Sequence, residues 1–369
     1  MKHNWQYKKL GEICELYQPK TIASSELVDS GEYDVFGANG IIGKYTRYNH
    51  ENPEILLTCR GATCGTINVS NPKSWINGNA MVIHSKTNDI VFGYLRYAMI
   101  AVDYSHIITG AAQPQITRQS LAPIPIPVPS LAVQQRIVAE LDRINGVMED
   151  CRQLLRTLDT LAQSLFYDSF GDPISNPKAW PTQPLKDVTI CITDGDHMAP
   201  PKSNDGIPFI TISNINKDNN SIDFSDTFFV PHNYYDSLPE YRKPIKGDVL
   251  YTVTGSYGIP VLIDFERQFC FQRHIGLIRP KKNLDSIFLA QWCNTKSIKA
   301  VADRVANGIA QKTVSLNSLR KFPIILPPLE LQQQFARRIE AIEAQKKAVE
   351  KTIATLQTLL DSRMDYWFN

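Results

Sequence analysis

The sequence predicts a duplicated chain of the mixed α/β (α+β) class, in which two similar globular domains are each followed by one long helix. The first observation is a repeat: the stretch from Pro125 to Phe170 occurs again 198 residues later without a gap. The second is that the apolar residues of both copies follow a heptad pattern. The third is that short apolar runs separated by glycine-rich turns precede each copy, which is typical of strands.

Each copy of the repeat is predicted to form one helix, over residues 131–169 and 329–367. Intervals of four and three residues between apolar positions are typical of a coiled-coil seam. Pro129 and Ser130 favour a helix start, and Gly171 favours a stop. The first seam contains Ile137, Leu141, Ile144, Met148, Cys151, Leu155, Leu158, Ala162 and Leu165, and the second contains Phe335, Ile339, Ile342, Val349, Ile353, Leu356 and Leu360.

Two charged residues, Lys346 and Arg363, interrupt the second seam. A single helix of this length, roughly 58 Å at 1.5 Å per residue, cannot bury its apolar stripe alone. Because two matching helices lie in one chain, they are predicted to pair with each other. A coiled coil between two separate chains is the alternative.

The repeat divides the chain into four segments. The first globular domain is predicted over 1–128, the central helix over 129–172, the second globular domain over 173–326 and the C-terminal helix over 327–369. Within the first domain, the patterns predict short strands and tight turns over 31–48, two strands joined by a turn over 54–69 and a single strand over 75–84. They also predict a short helix over 92–102 and an extended proline-rich connection over 108–130. The second domain repeats this order of patterns with less similarity than the helices show.

The composition is that of an ordinary soluble protein. The chain has 369 residues, enough for two or three domains, and 21% of them are charged. No window of 18 apolar residues predicts a membrane span, and the N-terminus lacks the apolar core of a signal peptide. Seven scattered cysteines form no disulfide or zinc framework. These features together predict free thiols in the reducing cytoplasm.

The charge distribution weakly favours nucleic acid as the partner of the globular segments. Lys and Arg outnumber Asp and Glu by 11 to 10 in residues 1–128 and by 18 to 14 in residues 174–325. The first helix is acidic, with 4 Lys and Arg against 7 Asp and Glu over residues 129–173. A positive excess on the globular parts is the electrostatic pattern of a nucleic-acid-binding surface.

No catalytic motif is recognisable in the sequence. GANGIIGKY (37–45) resembles a phosphate-binding loop, but its spacing is one residue too long and Tyr45 replaces the Ser or Thr that binds magnesium. No methyltransferase motif, G-x-S-x-G elbow or H-E-x-x-H pair occurs. Asp194, Asp196 and His197 fall within four residues, which suggests a metal site, although a polar loop is the preferred interpretation. The chain is therefore predicted to be neither an enzyme nor a metalloprotein.

The stretches that lead into the two helices resemble those of a known family. Residues 110–137 read GAAQPQITRQSLAPIPIPVPSLAVQQRI, and residues 308–335 read GIAQKTVSLNSLRKFPIILPPLELQQQF. A glycine, a glutamine, a leucine, a proline-rich run and Gln-Gln at the helix start recur in both. This doubled pattern is similar to that of the specificity subunit of type I restriction-modification systems, as are WQYKKLGEI (5–13) and FGANGIIGKY (36–45). The resemblance covers the full length.

The resemblance implies a DNA-binding chain without catalysis of its own. Each globular segment would be a target-recognition domain that reads one half of a split DNA site. The helices would form an antiparallel coiled coil with pseudo-twofold symmetry that spaces the halves. Two methyltransferase subunits, which would bring S-adenosylmethionine, would dock on the helices, and a restriction subunit would add ATP-driven translocation and cleavage.

Two other functions remain as alternatives. The first is an enzyme such as a fused nuclease–methyltransferase, which requires a cofactor motif that the sequence does not show. The second is a coiled-coil scaffold that binds only proteins. Salt-dependent DNA binding would distinguish the specificity subunit from such a scaffold.

Candidate DNA contacts follow from residue type alone, because Arg, Lys, Asn, Gln and hydroxyl side chains on loops read base edges. In the first domain these candidates are Lys44, Arg47, Arg60, Asn77, Asn79, Gln113 and Arg118. In the second domain they are His197, Lys202, Thr254, Ser256, Tyr257, Gln272, Arg273, His274 and Lys312. Because Gln113 recurs as Gln311, a structural role at the turn before the helix is favoured for both.

Overall fold

The computed structural model describes residues 5–110, 112–197, 199–308 and 311–369. The chain divides into two compact units. Unit 1 comprises Met1–Arg152 and Lys351–Asn369, and unit 2 comprises Gln153–Glu350. Each long helix therefore contributes residues to both units.

Unit 1 contains three sheets and three short helices. Its strands are β1 (Gln6–Lys9), β2 (Cys14–Tyr17), β3 (Tyr33–Gly37), β4 (Gly40–Tyr45), β5 (Ile55–Thr58), β6 (Ile67–Val69), β7 (Trp75–Ile76), β8 (Ala80–Ser85) and β9 (Pro125–Val128). Its short helices are α1 (Leu10–Ile13), α2 (Phe92–Ala101) and α3 (Arg118–Leu121). The sheets have the orders β2-β8-β5-β6, β4-β3-β7 and β1-β9. All pairs are antiparallel except β3 with β7.

The first long helix, α4, spans Leu131–Phe170 and is followed by the strands and short helices of unit 2. The strands are β10 (Thr182–Pro184), β11 (Thr189–Asp194), β12 (Ile207–Ile210), β13 (Ile215–Asn216), β14 (Ser221–Ile222), β15 (Phe228–Val230), β16 (Val249–Thr252), β17 (Pro260–Leu262), β18 (Cys270–Phe271), β19 (Ile275–Pro280) and β20 (Pro323–Ile325). The helices are α5 (His232–Ser237), α6 (Ser286–Cys293), α7 (Lys296–Val305) and α8 (Leu316–Leu319), and the second long helix, α9, spans Leu329–Phe368.

Unit 2 repeats the sheet topology of unit 1. Its four-stranded sheet has the order β11-β19-β16-β17, its three-stranded sheet β15-β12-β18 and its two-stranded ribbon β10-β20. As in unit 1, one pair of the three-stranded sheet, β12 with β18, is parallel and every other pair is antiparallel. Unit 2 adds the β13-β14 hairpin, α5 and α7. The duplication predicted from the sequence is thus visible in the order of the strands.

Within unit 1, the first part of α4 packs against the last part of α9. Ile137 and Leu141 are fully buried in the main core of this unit, and Trp367 of α9 joins the same core. The Glu140 carboxylate accepts hydrogen bonds from the Arg363 guanidinium and from the Trp367 indole N–H, the latter at 3.1 Å. The charged residue that interrupts the predicted seam at 363 therefore has a partner on the facing helix.

Within unit 2, the last part of α4 packs against the first part of α9. The ring centroids of Phe166 and Phe170 lie 5.7 and 5.1 Å from that of Phe335. Lys346 is buried, and its Nζ lies 2.8 Å from the carboxylate of Asp159 and 3.1 Å from that of Glu343. Burial alone would lower the pKa of Lys346, but the two carboxylates outweigh it and raise that pKa.

The structure confirms most of the predicted elements of the first domain and corrects two of them. The short helix over 92–102 is present as α2. The single strand predicted over 75–84 is instead two strands, β7 and β8, because Asn77–Ala80 forms a turn closed by the Ala80 N–H and the Asn77 carbonyl at 3.0 Å. The connection over 108–130 is not extended throughout, since it contains α3 and pairs as β9 with β1.

The start of each long helix is fixed by a buried glutamine. The Gln134 amide oxygen accepts from the Val91 N–H at 2.9 Å, and its NH₂ donates to the carbonyls of Asp89 and Pro129 at 2.8 and 2.9 Å. The equivalent residue of unit 2, Gln332, makes the same three bonds. Its partners are the Asp285 N–H and the carbonyls of Asn283 and Pro327. Both side chains thus tie the helix start to the loop before a domain helix, α2 or α6.

Two further observations concern the chain as a whole. In the part of the chain that the structure describes, no helix is both long and apolar enough to cross a membrane. All seven cysteines are free thiols.

We predict that Gln134→Leu destabilises unit 1 by about 1–3 kcal/mol, because it removes the partner of the buried Pro129 carbonyl and of the half-buried Val91 N–H and Asp89 carbonyl. The neighbouring residue Gln135 is exposed on α4. The control Gln135→Leu should therefore change stability by less than about 0.5 kcal/mol. Urea unfolding of both full-length variants measures the difference. Equal stability of the two variants would show that the buried amide does not hold the helix start.

Candidate nucleic-acid interface

In unit 1, three loops meet at one end of the four-stranded sheet. The last residue of β5, Thr58, pairs with the first residue of β8, Ala80. The loop after β5 is bonded to the segment before α3, since the Gly61 N–H donates to the Pro114 carbonyl at 3.0 Å and the Ile116 N–H donates to the Cys59 carbonyl at 3.0 Å. We call this group, residues 59–66, 77–80, 109–110 and 112–116, the first loop edge.

In unit 2, the equivalent loops meet in the same way. The Gly255 N–H donates to the Lys312 carbonyl at 3.0 Å, and the Val253 N–H donates to the His274 carbonyl at 2.9 Å. The turn before β19 is bonded to the end of β11, because the Arg273 N–H donates to the Asp196 carbonyl at 3.1 Å. We call residues 195–197, 253–258, 272–275 and 311–314 the second loop edge.

A glycine shapes each of these edges at the repeated Gly-x-x-Gln position. Gly110 and Gly308 have φ angles of +89° and +121°. A Cβ atom on Gly110 would lie 2.4 Å from the Gln113 carbonyl oxygen, and one on Gly308 would lie 2.3 Å from that of Gln311. The recurrence of this glycine therefore has a structural cause, since the turn closes too tightly for any side chain there. The exposed Gln113 side chain remains a predicted DNA contact.

The structure brings together only some of the first-domain candidates. Arg60, Asn79 and Gln113 are exposed on the first loop edge. Asn77 lies there too, but it is 3% exposed and its amide oxygen accepts from the Ile22 N–H at 3.0 Å. Its burial argues against a base contact, because its amide oxygen already holds the neighbouring loop.

The other three first-domain candidates lie away from this edge. Lys44 is on β4 in the three-stranded sheet, where its Nζ lies 3.3 Å from the Asp34 carboxylate, and Arg47 follows that strand. Arg118 is the first residue of α3. All three are exposed. They remain predictions, but they do not share one surface with the first loop edge.

The second loop edge gathers most of the second-domain candidates. His197, Ser256, Arg273 and Lys312 are exposed there, and Gln272 and His274 flank Arg273 with half-buried side chains. The Ile275 N–H donates to the Gln272 carbonyl at 3.1 Å, so Arg273 occupies the tip of a turn. Lys202 is separate, with its Nζ 5.1 Å from the centre of the Phe228 ring in the three-stranded sheet.

Two second-domain candidates are interior residues. Thr254 and Tyr257 are each 9% exposed. The Thr254 hydroxyl lies 3.3 Å from that of Thr313, and the Tyr257 hydroxyl donates to the Asp303 carboxylate at 2.8 Å. This hydrogen bond, together with burial, raises the pKa of Tyr257. Both side chains hold loops together, which argues against their predicted role as base contacts.

The acidic loop after β11 is a hydrogen-bonded support for this edge. His197 Nε2 lies 2.9 Å from the Asp194 carboxylate, and Asp196 accepts a hydrogen bond from the Tyr234 hydroxyl. Burial and this bond raise the pKa of Tyr234. Among the described residues, no group of three or more His, Cys, Asp or Glu side chains is placed to hold a metal ion. The bonds of Asp194, Asp196 and His197 are those of a hydrogen-bonded loop.

The sequence-based prediction missed Gln18, which supports the first loop edge. Its amide NH₂ donates to the Gly78 carbonyl at 2.7 Å and lies 3.1 Å from the Cys59 sulfur. Its position directly after β2, at the end of the sheet where the loops gather, is the signal that would have suggested it. That position is recognisable only once the strand order is known.

Comparison with known families agrees with this duplicated architecture. The model of the family described as type I restriction modification DNA specificity domain matches residues 2–152 and again residues 177–358. The chain belongs to this family. Each matched segment contains one loop edge, so each half of the chain carries one copy of the specificity domain.

Individual relatives support the assignment over the full length. A protein of Haemophilus influenzae, provisionally named a type I restriction enzyme specificity subunit, is 22% identical over 98% of this chain and 94% of its own. The type I restriction enzyme MjaVIII specificity subunit of Methanocaldococcus jannaschii is 20% identical over 97% of this chain and 92% of its own.

Solved structures show that the fold is shared. A type I restriction-modification S subunit from M. genitalium has a TM-score of 0.61 at 13% identity and covers 99% of this chain and 96% of its own. A chain from a structural study of complex assembly and conformational transition of the type I R-M system has a TM-score of 0.56 at 19% identity, with 99% and 97% covered. The chain thus shares the fold of these S subunits over its length.

We predict that Arg273→Ala reduces discrimination at a single base pair by about 1–3 kcal/mol, since an arginine at a turn tip can bind a guanine edge through two hydrogen bonds. Arg267→Ala is the matched control. Arg267 lies in the loop after β17, at the end of the sheet opposite the second loop edge, and its guanidinium lies over the Phe224 ring. Competition binding with DNA variants measures the effect. A loss of equal size for every DNA sequence would contradict a base contact and indicate a phosphate contact.

Proposed function

We propose that this chain is the sequence-specific DNA-binding subunit of a type I restriction-modification complex and that each unit reads one half of a bipartite DNA site. One observation carries the proposal. The two copies of the specificity domain share the backbone bonding of their loop edges, while the exposed side chains on those edges differ. A common scaffold with different side chains is what reading two different sequences requires.

We further propose that α4 and α9 form an antiparallel coiled coil with pseudo-twofold symmetry that sets the distance between the half-sites. In unit 1, Arg136 and Glu140 contact Trp367 and Arg363, so residue numbers rise along one helix as they fall along the other. In unit 2, Asp159 contacts Lys346 while Phe166 contacts Phe335, in the same sense. These contacts support the antiparallel arrangement.

The partners and cofactors follow from the family as part of the same proposal. Two methyltransferase subunits would bind the helical region and carry S-adenosylmethionine, and a restriction subunit would carry ATP. The chain itself would contribute recognition and no catalysis, and it would act in the cytoplasm. The conserved sheet topology of the two units supports the presence of two equivalent partner positions.

Exchanging residues 1–125 for the same segment of a relative should change one half of the methylated sequence and leave the other half unchanged. The measurement is methylation-site mapping with the reconstituted complex. The chain without partner subunits is the control and should transfer no methyl group. The reciprocal exchange of residues 174–325 should change the other half only. A change in both halves of the methylated sequence after either exchange would refute independent recognition. DNA binding that is absent, or that does not depend on salt, would instead favour a protein-binding scaffold.

Inserting four residues after Arg152 in α4 and four after Glu350 in α9 should lengthen the unread spacer by one or two base pairs. Each insertion adds about 6 Å of helix, against roughly 3.4 Å per base pair. Both sites lie where the division between the two units crosses the helices. Methylation-site mapping should then show the two half-site sequences unchanged.

The matched control carries only one of the two insertions. It should lose binding, because four residues shift the heptad register of one helix against the other. A paired variant that binds DNA with an unchanged spacer would show that the helices do not set the distance.

A further inference from the structure

Unit 2 contains a cleft of about 550 Å³ along the free edge of its four-stranded sheet. The cleft follows β11, which pairs with β19 on one side only. Lys186 lines it just before the strand, and Asp194 lines it at the last residue of the strand. Since Asp194 also contacts His197, the cleft reaches the second loop edge.

The cleft is electropositive. Three cations, Lys186, Arg242 and Arg320, line it against the single carboxylate of Asp194. Arg320 is held in place, because its guanidinium donates to the Ile192 carbonyl at 2.7 Å and to the Asn317 amide oxygen at 3.1 Å. Two of the five guanidinium N–H donors of Arg320 are thus used in these bonds, and the others remain available.

Arg242 has unmet hydrogen-bonding capacity. Its Nε is buried and has no hydrogen-bond partner within the described parts of the chain. Its Nη2 lies 3.9 Å from the Asp194 carboxylate, beyond hydrogen-bond distance. A buried guanidinium N–H without a partner is costly in a folded protein. An anionic ligand in the cleft would instead pair with the charge of the Arg242 guanidinium, which lines it.

The residues of unit 1 that match Lys186 and Arg320 are uncharged, namely Gly11 and Ala122. The Gly11 N–H donates to the Ala122 carbonyl at 2.9 Å, and the Lys186 N–H donates to the Arg320 carbonyl at 3.1 Å, so the same backbone bond occurs in both units. In unit 1 a Cβ on Gly11 would lie 3.0 Å from that of Ala122, which leaves little space for a side chain. Unit 2 has replaced this close-packed pair with two cations.

From this geometry we propose that the cleft binds a phosphate group of the DNA backbone next to the half-site read by unit 2. The inference rests on the proposed DNA-binding function and adds a contact outside the second loop edge. A peptide strand pairing with β11 is less compatible with the structure. Arg320 already occupies the Ile192 carbonyl, and a register shift between Thr189 and Cys191 interrupts the strand edge.

The exposed apolar side chains beside the cations suit a sugar–phosphate backbone. Ile190 is 66% exposed and Tyr241 is 50% exposed, and both line the cleft. They can contact deoxyribose while Lys186, Arg242 and Arg320 face the phosphate. A contact of this kind fixes the position of the DNA without reading its sequence.

The test measures binding of duplex DNA to the full-length chain between about 50 and 200 mM salt. Lys186→Ala and, separately, Arg242→Gln should each weaken binding several-fold at the low-salt end. Each should also reduce the slope of log K against log salt by about 0.9, the value for one phosphate. The mapped half-site sequences should stay the same. Lys186 is exposed, so its replacement tests the proposal even if the Arg242 variant does not fold.

Lys296→Ala is the control, because it removes the same charge from an exposed position on α7 outside the cleft. It should leave the salt dependence at the wild-type value. Wild-type salt dependence in both cleft variants would overturn the phosphate site while leaving the proposed function intact. The phosphate site would also be overturned if a cleft variant changed the preference at one base pair. It would likewise be overturned if the wild-type chain bound a free mononucleotide and only the cleft variants lost that binding. Absence of DNA binding by the wild-type chain would overturn the proposed function itself.

Discussion

Two buried side-chain amides determine how the long helices leave their domains. Gln134 and Gln332 each bond one N–H and two carbonyl groups, of which the carbonyls of Pro129 and Pro327 are buried and the others half-buried. Through these bonds the first turn of α4 is fixed to the loop before α2, and that of α9 to the loop before α6. If the helices space the two DNA half-sites, the loop edges can hold a defined distance only because this junction is rigid. A flexible junction would transmit neither the length nor the direction of the helix.

The sequence predicted the repeated features and failed where the two copies differ. Heptad spacing and the matching offset located both long helices within one or two residues, and the seam residue Lys346 proved to be buried between carboxylates. Repetition also identified Gln134 and Gln332 as equivalent, though it did not reveal their bonds. In contrast, residue type alone could not separate the exposed Asn79 from the buried Asn77, since both are asparagines in one turn.

The cleft of unit 2 shows why some functional residues are invisible in the sequence. Lys186, Arg242 and Arg320 are separated along the chain by as many as 134 residues and follow no motif. The ribbon β10-β20 brings the start of β11, and with it Lys186, beside Arg320 at the end of α8. The segment after α5 carries Arg242 to the other end of β11. Only the strand order, and the comparison with Gly11 and Ala122 in unit 1, distinguishes them from other surface cations.

The charged residues inside the helix seams have a consequence for the choice of partner. The residue of α9 equivalent to Glu140 is Arg338, and the residue of α4 equivalent to Arg363 is Leu165. If α9 paired in the same register with α9 of a second chain, Arg363 would face Arg338. If α4 paired in that register with α4 of a second chain, Glu140 would face Leu165. Duplicated helices would otherwise be free to recognise copies of themselves. The α9–α9 pairing would bring two like charges together, and the α4–α4 pairing would leave a carboxylate without a partner. Both effects favour the pairing of α4 with α9.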